Sequence, residues 1–402
     1  MKTIAIIGGG WSGCHVALEL ADAGHHVTII EKGDDIFHGV SGQFGIRIHK
    51  GPHYPRSSGT RDSCRRTFVR FCSKYPELVV NVKPAIYSLG RTDSNGCKSK
   101  VTADVFGKVC SESEECSAVN VHEHWGGSEL EVAYNLDEPC AVLNPYLKTY
   151  FRERLSKAGI EVRLGEEVYS VYHQNDQHFV STSSVTDTSF DKVINATGAD
   201  IRYQACIALK YRDTSPDNAP QSFIVMDGWF PCLMPCVGDP EVKGEYILTH
   251  GAYTILGSWD TPTEANSCLS QLTPEILEAH IRPKIEREME RFWPGFTKRF
   301  TYEGWKGSVL PKMVTDTEFR SSVVFEKDSV IYIFPGKISN VVEAADEVFS
   351  LIDGRNVVSS AGYGIARDSE LNRSKKEIEE KPSCKERNTC FLQTHKDLTV
   401  VV

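Results

Sequence analysis

No apolar run in the sequence is long enough to span a bilayer, so no membrane-spanning helix is expected. Positive charge is not in excess either. There are 45 Lys and Arg against 54 Asp and Glu, a net charge of −9, which argues against nucleic acid or an anionic membrane as the main partner. No stretch precedes the first apolar strand, so no signal peptide is expected. The 13 cysteines are odd in number and scattered, and a reducing, cytoplasmic setting is expected rather than a disulfide framework. Metal-ligand spacing is missing as well. Cys232 and Cys236 have no second pair, and His122, Glu123 and His124 have no evident partner, so no metal is expected. The remaining composition is that of a globular protein, with enough chain for one large core or two domains.

The N-terminus carries the strongest signal. The apolar run Thr3-Ile4-Ala5-Ile6-Ile7 enters Gly8-Gly9-Gly10-Trp11-Ser12-Gly13, and a helical stretch follows from Cys14 to Ala23. A second apolar run, Val27 to Ile30, ends in Glu31 and Lys32. This order specifies a βαβ unit that binds a dinucleotide. Gly8 permits the tight turn, Gly10 lets the backbone approach a pyrophosphate, and Gly13 lets helix and strand pack closely. The pyrophosphate belongs at the positive end of the helix, and Glu31 is suited to ribose hydroxyls.

From Gly39 to Pro55 the chain is rich in glycine, histidine and aromatics and reads as an extended loop. Helices are predicted over Thr60–Tyr75, Asn144–Lys157 and Pro274–Phe292, and Val341–Leu351 reads as amphipathic. Between Pro84 and Pro139 short β-prone segments alternate with polar turns. Strands are predicted around Val162, Val168 and Val193, the last ending in Asn195-Ala196-Thr197-Gly198. The strand Val330–Phe334 runs into Pro335-Gly336-Lys337-Ile338-Ser339 before the last helix. The expected fold class is therefore α/β: a Rossmann-like nucleotide-binding domain with a second, mainly antiparallel β-sheet substrate domain. The first is expected from residues 1–80, 140–205 and 325–366, and the second from 81–139 and 206–324. Residues 367–402 are charged and mixed and read as a mobile tail.

The glycine turn with Glu31, the strand around Val168, the Asn195–Gly198 turn and the Gly336–Ser339 turn occur in an order that resembles FAD-dependent oxidoreductases of the D-amino-acid oxidase superfamily. Glycine oxidase and L-2-hydroxyglutarate oxidase-like proteins belong to it. The resemblance covers residues 1 to about 355, and His49 to Ser57, Met226-Asp227-Gly228 and Gly257-Ser258-Trp259 are similar to one branch. It implies FAD as cofactor. Gly8, Gly10, Trp11, Ser12 and Gly13 would meet the pyrophosphate, and Glu31 and Lys32 the adenosine end. Val168 would meet the adenine, with Thr197 and Gly198 packed along the cofactor. Ser41, Gly42 and Gln43 would line the flavin, and Gly336, Lys337, Ile338 and Ser339 would place amides near its pyrimidine edge.

A flavin in such a fold takes hydride from a carbon bearing nitrogen or oxygen, so the implied activity is oxidation of a CH–NH or CH–OH bond of a small molecule, with O2 as the expected electron acceptor. An α-amino or α-hydroxy acid needs a clamp for its carboxylate, and Arg47 and Arg56 are the candidates. His49, His53 and Tyr54 are suited to ordering substrate or flavin, and His53 is also a candidate covalent flavin tether. His250 and Tyr253 are second-tier candidates, and Lys306 and Lys312 are candidates for promoting oxygen chemistry. Three rivals stay open: an FAD-dependent monooxygenase, a non-redox flavin-binding isomerase or tailoring enzyme, and a non-catalytic FAD-binding protein. Against the first, Phe334-Pro335-Gly336-Lys337 stands where aromatic hydroxylases usually carry Gly-Asp-Ala, and no second glycine fingerprint for NADPH is visible.

Overall fold

The structure is a computed structural model that describes residues 1–353 except 45, 114, 199–201, 216, 218, 239–242, 313–319 and 335. The expected tail at 367–402 lies outside the described residues. Apolar runs with alternating or continuous burial form two large sheets, each with its own core, and the α/β expectation holds.

The first sheet has six strands in the order Val323–Lys327, Val330–Phe334, Lys192–Asn195, Thr3–Ile7, His26–Glu31 and Glu161–Leu164. Its pairings are parallel apart from the edge hairpin formed by Val323–Lys327 and Val330–Phe334. Thr3–Ile7 is central and continuously apolar, as a strand covered on both faces must be. The helices Trp11–Asp22, Ser58–Lys74, Tyr146–Lys157 and Val341–Ile352 supply a core that includes Trp11, Phe71, Phe151 and Val348. A three-stranded antiparallel meander, Val168–Gln174, Gln177–Thr182 and Thr188–Phe190, covers Ala5, Ile30 and Val193. The first helix starts at Trp11 rather than Cys14, because Gly10 is already its N-cap and the glycine turn supplies its first turn. Ser57 caps the Ser58–Lys74 helix, its side chain accepting from the Thr60 amide at 3.1 Å.

The second sheet has nine strands and mixes segments from both halves of the chain. Arg202–Asp213 is its longest inner strand, flanked by Ile255–Trp259, Glu245–His250 and Phe300–Lys312. Ala85–Gly90 and Ser222–Met226 pair in parallel, and the other pairs are antiparallel. The helical segment from Pro274 to Phe292 buries Leu277, Ile281, Ile285, Met289 and Phe292 against this sheet. The stretch from Pro84 to Pro139 also contains a helix, Ala103–Cys110, which short β-prone patches had masked. A small fourth sheet ties the histidine loop down: Ile46–Arg47 and Val79–Val80 both pair with Cys140–Ala141. The loop is therefore held where the two large sheets meet.

Candidate functional site

The glycine turn is built around close backbone contacts at Gly8 and Gly13. Gly8 has φ +104°, and a Cβ on Gly13 would lie 1.9 Å from the Gly8 carbonyl oxygen. The Gly8 position also abuts Ala196 and Thr197, which brings the Asn195–Gly198 turn against the glycine turn. Gly198 has φ +77°, and the Thr197 amide is held by Asn195 Oδ1 at 3.0 Å. Glu31 braces the turn: Oε2 accepts from the Gly9 amide at 2.7 Å and Oε1 from the Gly33 amide at 2.8 Å. Each carboxylate oxygen has a second lone pair left for a ribose hydroxyl. Ser41 Oγ reaches the Trp11 amide at 3.4 Å, and Gly42, at φ +75°, is wedged against Asn144 and Leu147. The Gln43 amide donates to the Val40 carbonyl and closes that loop. On the other flank, a Cβ on Gly336 would lie 2.1 Å from the Ser322 nitrogen, so this turn too is a close backbone approach. The helix starting at Trp11 offers its first amides to a ligand, since a helix leaves its N-terminal amides without internal partners. These residues fit a dinucleotide cofactor.

Not every expected cofactor residue points there. The Trp11 side chain is buried among Phe37, Phe71, Tyr75 and Phe151, so only its backbone belongs to the turn. Ser339 turns its hydroxyl to Thr67 Oγ1 at 2.9 Å, and Ile338 packs on the core, so their backbone alone faces the turn. Lys32 and Thr197 are exposed, Ser12 is half-buried at the second helical position, and Val168 packs with the meander core.

The histidine loop brings a second group together. His49 and His53 stack, with ring centroids 4.5 Å apart and planes 19° from parallel. Tyr54 stands edge-on to both rings. Lys337, from the Gly336 turn, places its ammonium 4.5 Å from the Tyr54 ring centroid. Arg47 is 3% exposed, lies 4.4 Å over the Tyr87 ring, and has, among the described residues, no hydrogen-bond acceptor in good geometry at any guanidinium nitrogen. A buried guanidinium costs free energy unless an anion or acceptor meets it. His53 Nδ1 is likewise buried and unpartnered. Burial, with His49, Lys337 and Arg47 nearby, holds His53 well below the usual histidine range. Burial also lowers Lys337 to about 8, with Arg320 and Lys312 adding repulsion. A cleft of about 290 Å³ adjoins the group, lined by His53, Tyr54, Arg56, Asp227, Cys232 and Thr249 among others.

The comparisons with known proteins follow this geometry. The family described as FAD dependent oxidoreductase (DAO) matches residues 3–336. The chain belongs to this family. The FAD-dependent monooxygenase kojA of Aspergillus flavus is 49% identical, over 98% of this chain and 97% of that protein. The FAD-dependent monooxygenase FPY4 of Fusarium mangiferae is 28% identical over 87% of this chain and 91% of that protein. Among solved structures, glycine oxidase from Geobacillus kaustophilus superposes with a TM-score of 0.66 at 14% identity, over 89% of this chain and 97% of the other. The chain is thus an FAD-dependent oxidoreductase, and its cofactor is FAD.

The remaining expected residues of this FAD-dependent oxidoreductase are dispersed. Arg56 forms an ion pair with Asp227 across the cleft rather than waiting for a substrate. His250 and Tyr253 do not join the histidine loop. Their neighbours Thr249 and Gly251 line the cleft, while His250 stacks on Tyr253 beside Arg291 and accepts from the Ala252 amide at 3.1 Å. Successive strand residues face opposite sides, which sends His250 away from the cleft. Lys306 reaches across to the loop, 5.8 Å from the Phe44 ring centroid, and Lys312 lies close enough to Lys337 to lower its pKa. Two residues of the cluster had no signal in the sequence: Tyr87, whose ring lies under Arg47, and Glu138, whose Oε2 accepts from the Tyr87 hydroxyl and lies 3.3 Å from His49 Nδ1. Tyr87 sits in an apolar run, and Glu138 reads as part of a polar turn. Among the described residues, no helix is long and apolar enough to cross a membrane.

Proposed function

We propose that this oxidoreductase oxidises a CH–OH or CH–NH bond of a small molecule that carries an anionic or electron-rich oxygen. The observation that carries this reading is Arg47: a buried guanidinium whose nitrogens find no acceptor in good geometry among the described residues, set beside two stacked imidazoles and the Gly336–Lys337 turn. Bound FAD supplies a two-electron acceptor. The chain does the rest. Arg47 fixes the substrate oxygen through its planar fork of donors. His53 and Tyr54 line the cleft, and the apolar Ile224, Val225 and Phe230, which also line it, exclude water. The depressed Lys337 and its neighbour Lys312 concentrate positive charge by the flavin-end turn. That charge favours O2 as the final acceptor, because oxygen reduction develops negative charge.

Anaerobic mixing of the holoenzyme with a panel of amines, amino acids, hydroxy acids and polyols tests the reading. Bleaching of the flavin by at least one member without NAD(P)H is expected. A second reading has one specific support, the monooxygenase names of relatives that match nearly the full length of the chain. It predicts bleaching by NAD(P)H alone and incorporation of oxygen-18 from labelled O2 into product. Hydrogen peroxide in equal amount to product, with no label incorporated, supports the oxidase reading instead.

A further inference from the structure

Glu138 lies fully buried just after the Leu130–Asn135 strand. Its Oε1 accepts from the Lys50 amide at 2.6 Å. Its Oε2 accepts from the Tyr87 hydroxyl at 2.5 Å and faces His49 Nδ1 at 3.3 Å. His49 Nδ1 also lies 3.2 Å from the Tyr87 oxygen, whose own proton is given to Glu138. Burial works against ionisation of Glu138, but His49, Arg47 and the Tyr87 hydroxyl outweigh it and hold the carboxyl below its usual range.

An ionised carboxylate accepts and does not donate, so the hydrogen between it and His49 belongs to the imidazole Nδ1. In a neutral ring the other nitrogen, Nε2, then carries a bare lone pair. Among the described residues no hydrogen bond occupies Nε2, and unlike His53 Nδ1 it is not a sealed, partnerless atom. The same carboxylate is tied through Tyr87 to Arg47, whose guanidinium covers the Tyr87 ring. One buried acid therefore organises both a proton acceptor and an anion site.

We propose that Glu138 is a positioning residue that fixes the His49 proton on Nδ1, and that His49 Nε2 takes the hydroxyl proton of a CH–OH substrate whose oxygen functions are met by Arg47. The inference rests on the reading given under Proposed function and narrows it to alcohols, including hydroxy acids and polyols. The substrate C–H bond breaks, and its hydrogen leaves with the electron pair to the two-electron acceptor that FAD provides. The O–H bond breaks, its electron pair becomes the second bond of the new carbonyl, and its proton bonds to Nε2. The imidazolium so formed stands against the Glu138 carboxylate and later releases the proton to water. A neutral amine losing hydride gives an iminium without losing a proton, so it has no use for this pair.

The test combines a spectroscopic and a kinetic reading of the holoenzyme. Nitrogen-15 NMR of histidine-labelled protein, with His49 assigned by its loss in His49→Asn, is expected to show Nδ1 protonated and Nε2 bare. Matched pairs of 2-hydroxy and 2-amino acids, together with polyols, are offered under anaerobic conditions. Alcohols are expected to bleach the flavin and amines not. In Glu138→Gln, with FAD content unchanged, the tautomer preference is expected to be lost and bleaching by the alcohol to slow about 10³-fold, within the range for misplaced general bases. The proposal is overturned by an Nε2-protonated His49 in the wild type, by amines bleaching where their alcohol partners do not, or by a Glu138→Gln variant of wild-type rate. If no panel member bleaches the flavin, the proposed function fails, and the wild-type tautomer still decides the role of Glu138.

Discussion

The glycine turn makes a sharp prediction because two of its glycines fail for different reasons. A methyl group on Gly13 would sit 1.9 Å from the Gly8 carbonyl oxygen, against an ordinary contact of 3.4 Å or more. Both partners are backbone, so no side chain can rotate away. The helix starting at Trp11 has to move off the turn by about 1.5 Å, and such overpacking typically costs about 1–3 kcal/mol. The helix amides move with it. Losing one charge-assisted hydrogen bond to a phosphate costs about 1.5–3 kcal/mol, or about 10- to 100-fold in affinity. Gly13→Ala is thus expected to lower both apoprotein stability and FAD affinity. Gly10 differs, since its Cβ would meet only the Ser41 hydroxyl, 3.0 Å away and able to rotate, and its φ of −86° suits any residue. Gly10→Val is therefore expected to fold with a loss of about 1 kcal/mol or less, typical of a replaced N-cap, while its side chain fills the space a pyrophosphate needs. Flavin-to-protein ratio by absorbance, FAD titration by flavin fluorescence and urea unfolding of the apoproteins separate the two. Wild-type FAD affinity in Gly13→Ala, or an apoprotein of Gly10→Val less stable than that of Gly13→Ala, refutes the reasoning.

Arg47→Lys keeps the charge but removes the planar fork, so FAD content should stay constant while substrate bleaching slows about 10- to 100-fold, the worth of one charge-assisted hydrogen bond; an unchanged rate would remove Arg47 from the substrate site. Lys337 titrates near 8 in the folded protein, below the ordinary 10.5, so the unfolded chain binds more protons between those values. Its contribution makes apoprotein stability rise with pH from about 8 to 10.5 and stay level below that window, and Lys337→Met should flatten the rise in urea unfolding at pH 8 and 10; parallel slopes in the two proteins would count against it. His53→Ala should retain FAD and slow bleaching by about 10²-fold at most, the cost of misplacing the substrate or the His49 ring stacked on it, because His49 keeps its carboxylate partner. Acid precipitation is expected to release flavin from both proteins, whereas release from the variant alone would make His53 a covalent tether.

What could be read in the sequence is what leaves its mark over a few consecutive residues. Gly8 and Gly13 are legible because two close backbone approaches fall within six positions, and Gly336 because a strand delivers the chain directly to a crowded turn. Side-chain direction is not legible at the same places: the helix start turns the Trp11 indole into the core, and the last turn aims the Ser339 hydroxyl at Thr67, leaving the backbone of both to the turns. The polar centre was harder still. Arg47 comes near enough to Glu138 to help keep it ionised only because Ile46–Arg47 pairs with Cys140–Ala141, and Tyr87 arrives from a strand of the other large sheet. The hydrogen bonds of Glu138 to Tyr87 and His49 join positions 51 and 89 residues apart, and no local periodicity encodes them. Glu138 sits between Asp137 and Pro139, where a solvated turn is the natural reading, and its burial follows from the strand Leu130–Asn135 ending beneath the histidine loop. A carboxylate survives there because a phenol, an imidazole and a backbone amide all donate to it. Those same donors are what let one acid set the proton on His49, so the feature least visible in the sequence is the one from which the substrate class is argued.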